Sequence, residues 1–283
     1  MRNIVLAIGF AALLVGCSSP APEVTTIAKK VEVAKGTTVD LVLAKQIDAG
    51  STREGDYVPF LVANDVRDGE GNLILAKGSV VKAEVQSSRG EGSLSGLMNR
   101  PARLDVILKE VQAVDGTPVV LVADNDKPDD PYRFTRENTG KPGVDSAKVD
   151  DLLKDETNRQ LAEKLSAAFN GQTPDLFTPE AKEAMSKFAS ELGLNDTKKL
   201  LEKGQGDCEK ISGAIERLQH GDLSGLTKGD LSLTLGSVVE LANLAGGLGD
   251  RVSRSLKGRT IRAYPGTAVR AFIKDTYTVT VRS

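Results

Sequence analysis

One short device occurs three times in this chain, and it limits the fold more than any other feature. Lys35-Gly36-Thr37 leads into Val39, Leu41 and Leu43. Lys77-Gly78-Ser79 leads into Val81, Ala83 and Val85, and Pro265-Gly266-Thr267 leads into Val269, Ala271 and Ile273. Each time a glycine is followed by Ser or Thr, then by apolar residues at the third, fifth and seventh positions. Period-two alternation marks a strand with one buried face, and glycine supplies the tight turn before it. A lone two-stranded hairpin is marginal in water. The third copy, near the C-terminus, is therefore expected to join the sheet begun by the first two; the alternative is two separate domains, with the final hairpin packed on the helices. The expected fold is α+β: a split antiparallel β-barrel or sandwich with an all-helical insertion before its last strands. The β domain is expected over residues 31–134 plus 257–283, and the helical insertion over 145–250.

The intervening stretches fill in this frame. Residues 57–63 read as a strand in which Pro59 suggests an edge or a strand start. The glycines of residues 87–101 do not follow the dinucleotide-binding spacing, and Pro101 stands where a helix would begin. Residues 102–111 alternate, Asp115-Gly116 signals a hairpin, and residues 118–122 return. Helical spacing then takes over. Leu152, Leu161, Leu165 and Phe169 share a face, and Thr178-Pro179 is a helix start. Asp196 and Asp207 read as caps of two further helices. Residues 231–249 form the most apolar internal run. Glu240 and Asn243 in its middle would be costly in lipid, which points to a buried helix.

Aromatics make up 4% of the 283 residues and Trp is absent, so the cores must be aliphatic. The formal charge is −2 with acids and bases intermixed. A nucleic-acid partner is not expected without a basic face. The only histidine is His220, and the cysteines are Cys17 and Cys208. That inventory gives little support to histidine metal clusters, a Ser-His-Asp triad or a disulfide framework, and no metal or cofactor is expected. The acidic stretch around Asp124, Asp126, Asp129 and Asp130 fails the calcium-loop pattern. Asp129 and Thr135 stand where Gly and Glu are needed. Asp150-Asp151 and Asp155-Glu156 read as solvated charge on a helix face. Arg100, Arg103, Arg133 and Arg136 are the candidate contacts for an anionic group or a partner.

Two resemblances add to this. Met1-Arg2, an apolar run over residues 4–13, and then Leu14-Val15-Gly16-Cys17-Ser18-Ser19 resemble the signal peptide and lipobox of bacterial lipoproteins. The resemblance implies cleavage after residue 16 and lipidation of Cys17 on its thiol and new amino group. It implies anchoring in the cell envelope, with Ser18 pointing to the outer membrane and the periplasmic side. Residues 17–30, with Pro20 and Pro22, read as a flexible tether. The second resemblance covers Gly55-Asp56-Tyr57-Val58-Pro59-Phe60, Val66, Gly71, Lys77-Gly78-Ser79 and Ala83, together with residues 103–111 and Val114-Asp115-Gly116. These are similar to the β-barrel domain of the outer-membrane channel component of conjugation-type secretion systems. That family also carries a helical excursion within its barrel. Here the excursion is long, charged and multi-helical. The functional expectation is a lipid-anchored, non-catalytic binding or assembly module, attached to the membrane through Cys17 and engaging an envelope protein partner. The alternatives are a subunit of an outer-membrane channel or secretion assembly, and an envelope hydrolase using acidic residues.

Overall fold

The computed structural model describes residues 28–90, 102–135, 146–172, 176, 178–203, 205–221, 232–253 and 261–282. Cys17, Arg100 and Arg136, and the side chains of Asp207 and Cys208, lie outside the described residues.

The strands are β1 (Ala28–Val33), β2 (Thr38–Leu43), β3 (Ile47–Asp48), β4 (Tyr57–Val62), β5 (Val66–Arg67), β6 (Leu73–Leu75), β7 (Val80–Arg89), β8 (Arg103–Gln112), β9 (Pro118–Val122) and β10 (Tyr132–Phe134). Among the described residues six helices follow: α1 (Ser146–Leu152), α2 (Glu156–Phe169), α3 (Pro179–Leu192), α4 (Asn195–Glu202), α5 (Gln205–His220) and α6 (Ser232–Ser253). The chain then returns to β11 (Arg262–Ala263), β12 (Ala268–Ile273) and β13 (Tyr277–Arg282).

A closed antiparallel barrel of six strands forms in the order β8, β7, β4, β2, β12, β9 and back to β8, with β10 added to β8. The late strands complete what the early ones begin. Val269 of β12 stands opposite Leu41 of β2, and β13 pairs along β1 from Val33–Tyr277 to Ala28–Arg282. The helices are thus a guest between β10 and β11, ahead of the closing ribbon, as the third copy of the device suggests.

The alternation holds in all three copies. Val39, Leu41, Leu43, Val81, Ala83, Val85, Val269, Ala271 and Ile273 are each at most 2% exposed and fill the barrel core. Residues between them face outward. Val42, Leu61 and Val80 stand in one cross-strand row and join the core of the helical region instead. The barrel wall therefore separates two apolar cores and contributes to both.

Pro59 does not mark an edge. β4 sits between β2 and β7. Pairing with β2 begins at Phe60, opposite Leu43, and the Pro59 carbonyl accepts from Ala44 N–H just past the end of β2. The missing N–H of Pro59 falls on that side, and the Ala44 carbonyl opposite accepts from Gln219 Nε2 instead.

The helices start where their caps stand. The Asp155 carboxylate accepts from the N–H groups of Thr157 and Asn158 at α2. Thr178 accepts from Ala181 N–H at α3, Pro179 occupies the first turn, and Gly193 closes the helix at φ 70°. α4 is the exception: Leu194 stands at its N-cap and makes no side-chain cap bond. Asp196 lies one residue inside the helix, so the expectation that it caps α4 fails. α5 begins at Gln205, ahead of Asp207.

Candidate functional site

The junction of barrel and helices is the most constructed part of the molecule, and α6 builds it. Two of the three glycine turns lie directly against this helix. A Cβ placed on Gly78 would sit 2.7 Å from the carbonyl carbon of Leu235, and one on Gly266 would sit 2.7 Å from Cα of Asn243. No real Cβ tolerates such approaches to backbone, so both positions need glycine for space as well as for their φ of 84° and 79°. Leu235 and Asn243 are eight residues apart, so the two seats lie about 12 Å apart along the helix axis. Within α6, Gly236 opens room for α4: a Cβ there would meet Asp196 Oδ2 at 2.5 Å.

The missing cap of α4 comes from α6. Glu240 accepts from Asp196 N–H at 3.1 Å and from Thr197 N–H and Oγ1, each at 2.9 Å. A carboxylate suits the positive end of a helix. Lys77, from the turn that seats α6, donates to Asp196 Oδ2 at 2.6 Å and Glu240 Oε1 at 3.4 Å. One barrel turn thus sets a cation between the carboxylates of Asp196 on α4 and Glu240 on α6. A cleft of about 500 Å³ opens beside this network, lined by Asn64, Asp65, Lys77, Asn195, Asp196 and Glu240 among others. A second tie joins α5 to the barrel. Gln219 Nε2 donates to the Ala44 carbonyl at 2.9 Å, and Gly221 lies against the ring of Tyr57. Burial pushes the Tyr57 hydroxyl well above its usual range.

Of the four candidate arginines, the described residues include Arg103 and Arg133, and the fold brings both onto one carboxylate. Arg103 Nε bonds Asp105 Oδ2, and Arg133 Nε reaches Asp105 Oδ1 at 3.2 Å. Asp105 is buried on β8 while both guanidiniums remain largely exposed. Arg133 stands directly opposite Asp105 across β10, and Arg89 directly opposite Arg103 across β7.

A wider cleft of about 610 Å³ lies where β9 leaves β8 for β12. Ile107, Leu108, Val122, Pro128 and Lys274 are among its lining residues. At its rim Lys82 pairs with Glu110 at 2.9 Å and Lys274 with Asp129 at 3.6 Å.

The remaining sequence candidates do ordinary structural work. Asp124 accepts from the N–H groups of Asp126 and Lys127 within its own loop. Asp155 caps α2, and Asp151 is paired with exposed Lys154, whose hydrogen bond lowers the Asp151 pKa. Hydrogen bonds hold the Asp68, Asp115 and Asp151 carboxyls below the usual carboxylate range. A carboxylic general acid needs the opposite direction. Among the described residues no group of three or more His, Cys, Asp or Glu could hold a metal ion, and no helix is long and apolar enough to cross a membrane.

Sequence reasoning missed Lys77, Glu240 and Gly236 as a unit, and it missed Asp105. Their partners lie 119 and 163 residues from Lys77, beyond any local pattern. For Asp105 a signal did exist: a lone acid at an outward position between two apolar residues, two places from an arginine.

The chain matches no known protein family. No curated protein matches it either.

Proposed function

We propose that the protein is a lipid-anchored component of the bacterial cell envelope that acts as a non-catalytic binding or assembly module. The observation that carries this reading is the way the barrel is finished. Its interior is packed with Phe60, Leu41, Leu43 and Leu121, and its outer face carries charge. Lys109 pairs with Glu84 at 3.1 Å, and Arg270 with Asp40 at 3.3 Å. A barrel that crosses a membrane has an apolar band outside, so this barrel is built to stand in water. Its helical guest is fixed to it by glycine seats and an ion network, which favours one body that offers two unlike faces to partners.

The Leu14, Gly16 and Cys17 pattern supports the anchor. From Cys17 to Ala28, where β1 begins, eleven residues can extend at most about 40 Å. The ribbon of β1 and β13 would then lie within that distance of the membrane, on the periplasmic side of an outer membrane. Intact mass of the membrane-bound chain tests the anchor: Cys17 carrying lipid is the expected result, and a mature chain with an unmodified Cys17 would remove it. Photo-crosslinking from the outer faces of the barrel and α5 in cells tests the module. A recurrent envelope protein partner is expected, and ladders of the chain itself would indicate a subunit of a larger secretion assembly. Recovery of monomer alone at every position would defeat the reading.

A further inference from the structure

We propose that the free edge of β1 is a self-association surface, on which β1 of a second copy of this chain adds as an antiparallel strand about a two-fold axis at Val31. The surface goes beyond the module reading and does not depend on lipidation of Cys17. An open edge, the backbone groups that face it and the charges beside them carry it.

Among the described residues β1 pairs with β13 alone. The far edge of β13 is covered: Thr280 N–H donates to Asp115 Oδ2 at 2.7 Å, and Tyr277 Oη accepts from Val120 N–H at 3.0 Å. β10, the edge added to the barrel, has three residues, against six in β1. A strand edge of that length is a template for another strand.

The Thr280 bond also fixes which groups face the edge. Its N–H points to Asp115, away from β1, so Thr280 and Lys30, which stand opposite one another, form a non-hydrogen-bonded pair. The N–H and C=O of Lys30 therefore face the free edge, and those of Glu32, two residues on, do the same. Side chains alternate in step: Lys30 and Glu32 are exposed, while Val31 and Val33 are buried.

These facts select one register. Two copies must set exposed row beside exposed row. A one-residue slip would place Lys30 against Val31 and free backbone groups against groups already turned to β13. Centring the pair on Lys30 opposes two lysines, and centring it on Glu32 opposes two glutamates. Centring it on Val31 places each Lys30 opposite Glu32 of the second copy, with the backbone groups of both residues able to bond. Within their own chain these two residues stand opposite Thr280 and Thr278, which offer no charge. Edge lysines normally keep strands apart; here Glu32 turns that guard into a choice of partner. The two-fold closes on four strands in the order β13, β1, β1, β13, with both outer edges covered, so the product is a dimer and not a fibre. A strand pair this short is below the size of a stable interface, so the dimer is weak in dilute solution.

Zero-length carbodiimide crosslinking of the full chain in uncharged detergent tests this. Isotope-light and isotope-heavy chains are mixed in equal amounts, and linked peptides are read by mass spectrometry. Isotopically mixed Lys30–Glu32 linkages are the expected result, while the exposed pair Lys82–Glu110, which lies within one chain, should give unmixed linkages only. Lys30–Glu32 linkages that are unmixed like this control, or mixed linkages that run from Lys29 to Glu32 instead, overturn the proposal. This arm uses the unaltered chain, so it stands even if variants fold poorly.

Charge reversal supplies a second arm, read by sedimentation. K30E and E32K each set like charges across the axis, and each alone should self-associate about tenfold more weakly. Mixed in equal amounts they regain opposite charges at every facing pair and should recover the dimer. Folded variants that fail to recover it on mixing overturn the proposal. A monomeric outcome in both arms leaves the envelope-module reading intact, because that reading is decided by partners captured from the barrel and α5 faces.

Discussion

The turns at Gly36 and Gly78 share Ala-Lys-Gly followed by a hydroxyl residue, and almost a conformation, with φ of 80° and 84°, yet they differ completely in what they touch. Beside Gly36, an added Cβ would first meet the side chain of Asn125, no nearer than 3.4 Å. Beside Gly78 it would strike the backbone of α6. Gly266 sides with Gly78. The same device therefore serves as a surface turn in one copy and as a seat for a helix in two. The lesson is that the turn builds the strand, while the neighbour decides whether the glycine also forms an interface.

Substitution with alanine breaks the comparison most forcefully. Gly36→Ala meets the positive φ alone and should cost about 1–2 kcal/mol. Gly78→Ala and Gly266→Ala add overpacking against helix backbone, for a total of about 3 kcal/mol or more. Urea unfolding midpoints give the ranking. Equal losses at Gly36 and Gly78 would mean that α6 does not rest on the turn as described.

The second test moves from space to charge. Glu240→Ala removes three hydrogen bonds from the start of α4 and leaves Lys77 with Asp196 alone. The expected loss is about 2–3 kcal/mol. Amide exchange should rise first at Asp196 and Thr197, before the barrel strands respond. If α4 stays protected, another group must cap it. Lys77→Met should cost less, because it removes the ion pairs to Asp196 and Glu240 but leaves the three hydrogen bonds of Glu240 to the start of α4 in place.

This contrast also explains how much of the molecule was legible in its residues. The barrel was, because period-two alternation is local: each of the nine apolar positions after the three glycines lies inside. The burial of α6 was legible from Glu240 and Asn243, which no lipid-facing helix would carry at its centre. The purpose of Glu240 was not. Asp196 looked like the cap because capping acids normally stand at the boundary itself, and here a residue 44 positions away does the work. Arg103 and Arg133 stood out as candidates, but their shared anchor depends on strand register, which places Arg133 against Asp105.

The third test concerns that anchor. Asp105→Asn removes the buried charge beneath two guanidiniums whose other faces still meet water. The expected cost is about 2 kcal/mol, below that of a fully buried pair because the arginines can rehydrate. The barrel core on the opposite side of β8 should stay ordered, so loss of β10 protection in exchange, without loss at β7, is the signature. Collapse of the whole barrel would show that Asp105 belongs to the core rather than to its outer face.

The smallest effect comes from a fourth glycine turn, at Asp115-Gly116. Gly116 has nothing within 4 Å of an added Cβ, so this turn is open like that of Gly36 and is fastened by a side chain instead. Burial acts to raise the Asp115 pKa, but hydrogen bonds from the N–H groups of Thr280 at 2.7 Å and Thr117 at 2.9 Å outweigh it and hold it below the usual range. A depressed carboxylate contributes stability above its unfolded pKa of about 4 and loses that contribution as pH falls through the folded value. Asp115→Asn should therefore cost about 1 kcal/mol at neutral pH. The gap between variant and wild type should close as the solution is acidified below about pH 4. A gap that stays constant into acid would assign the loss to geometry at the hairpin tip rather than to the charge that ties it to β13.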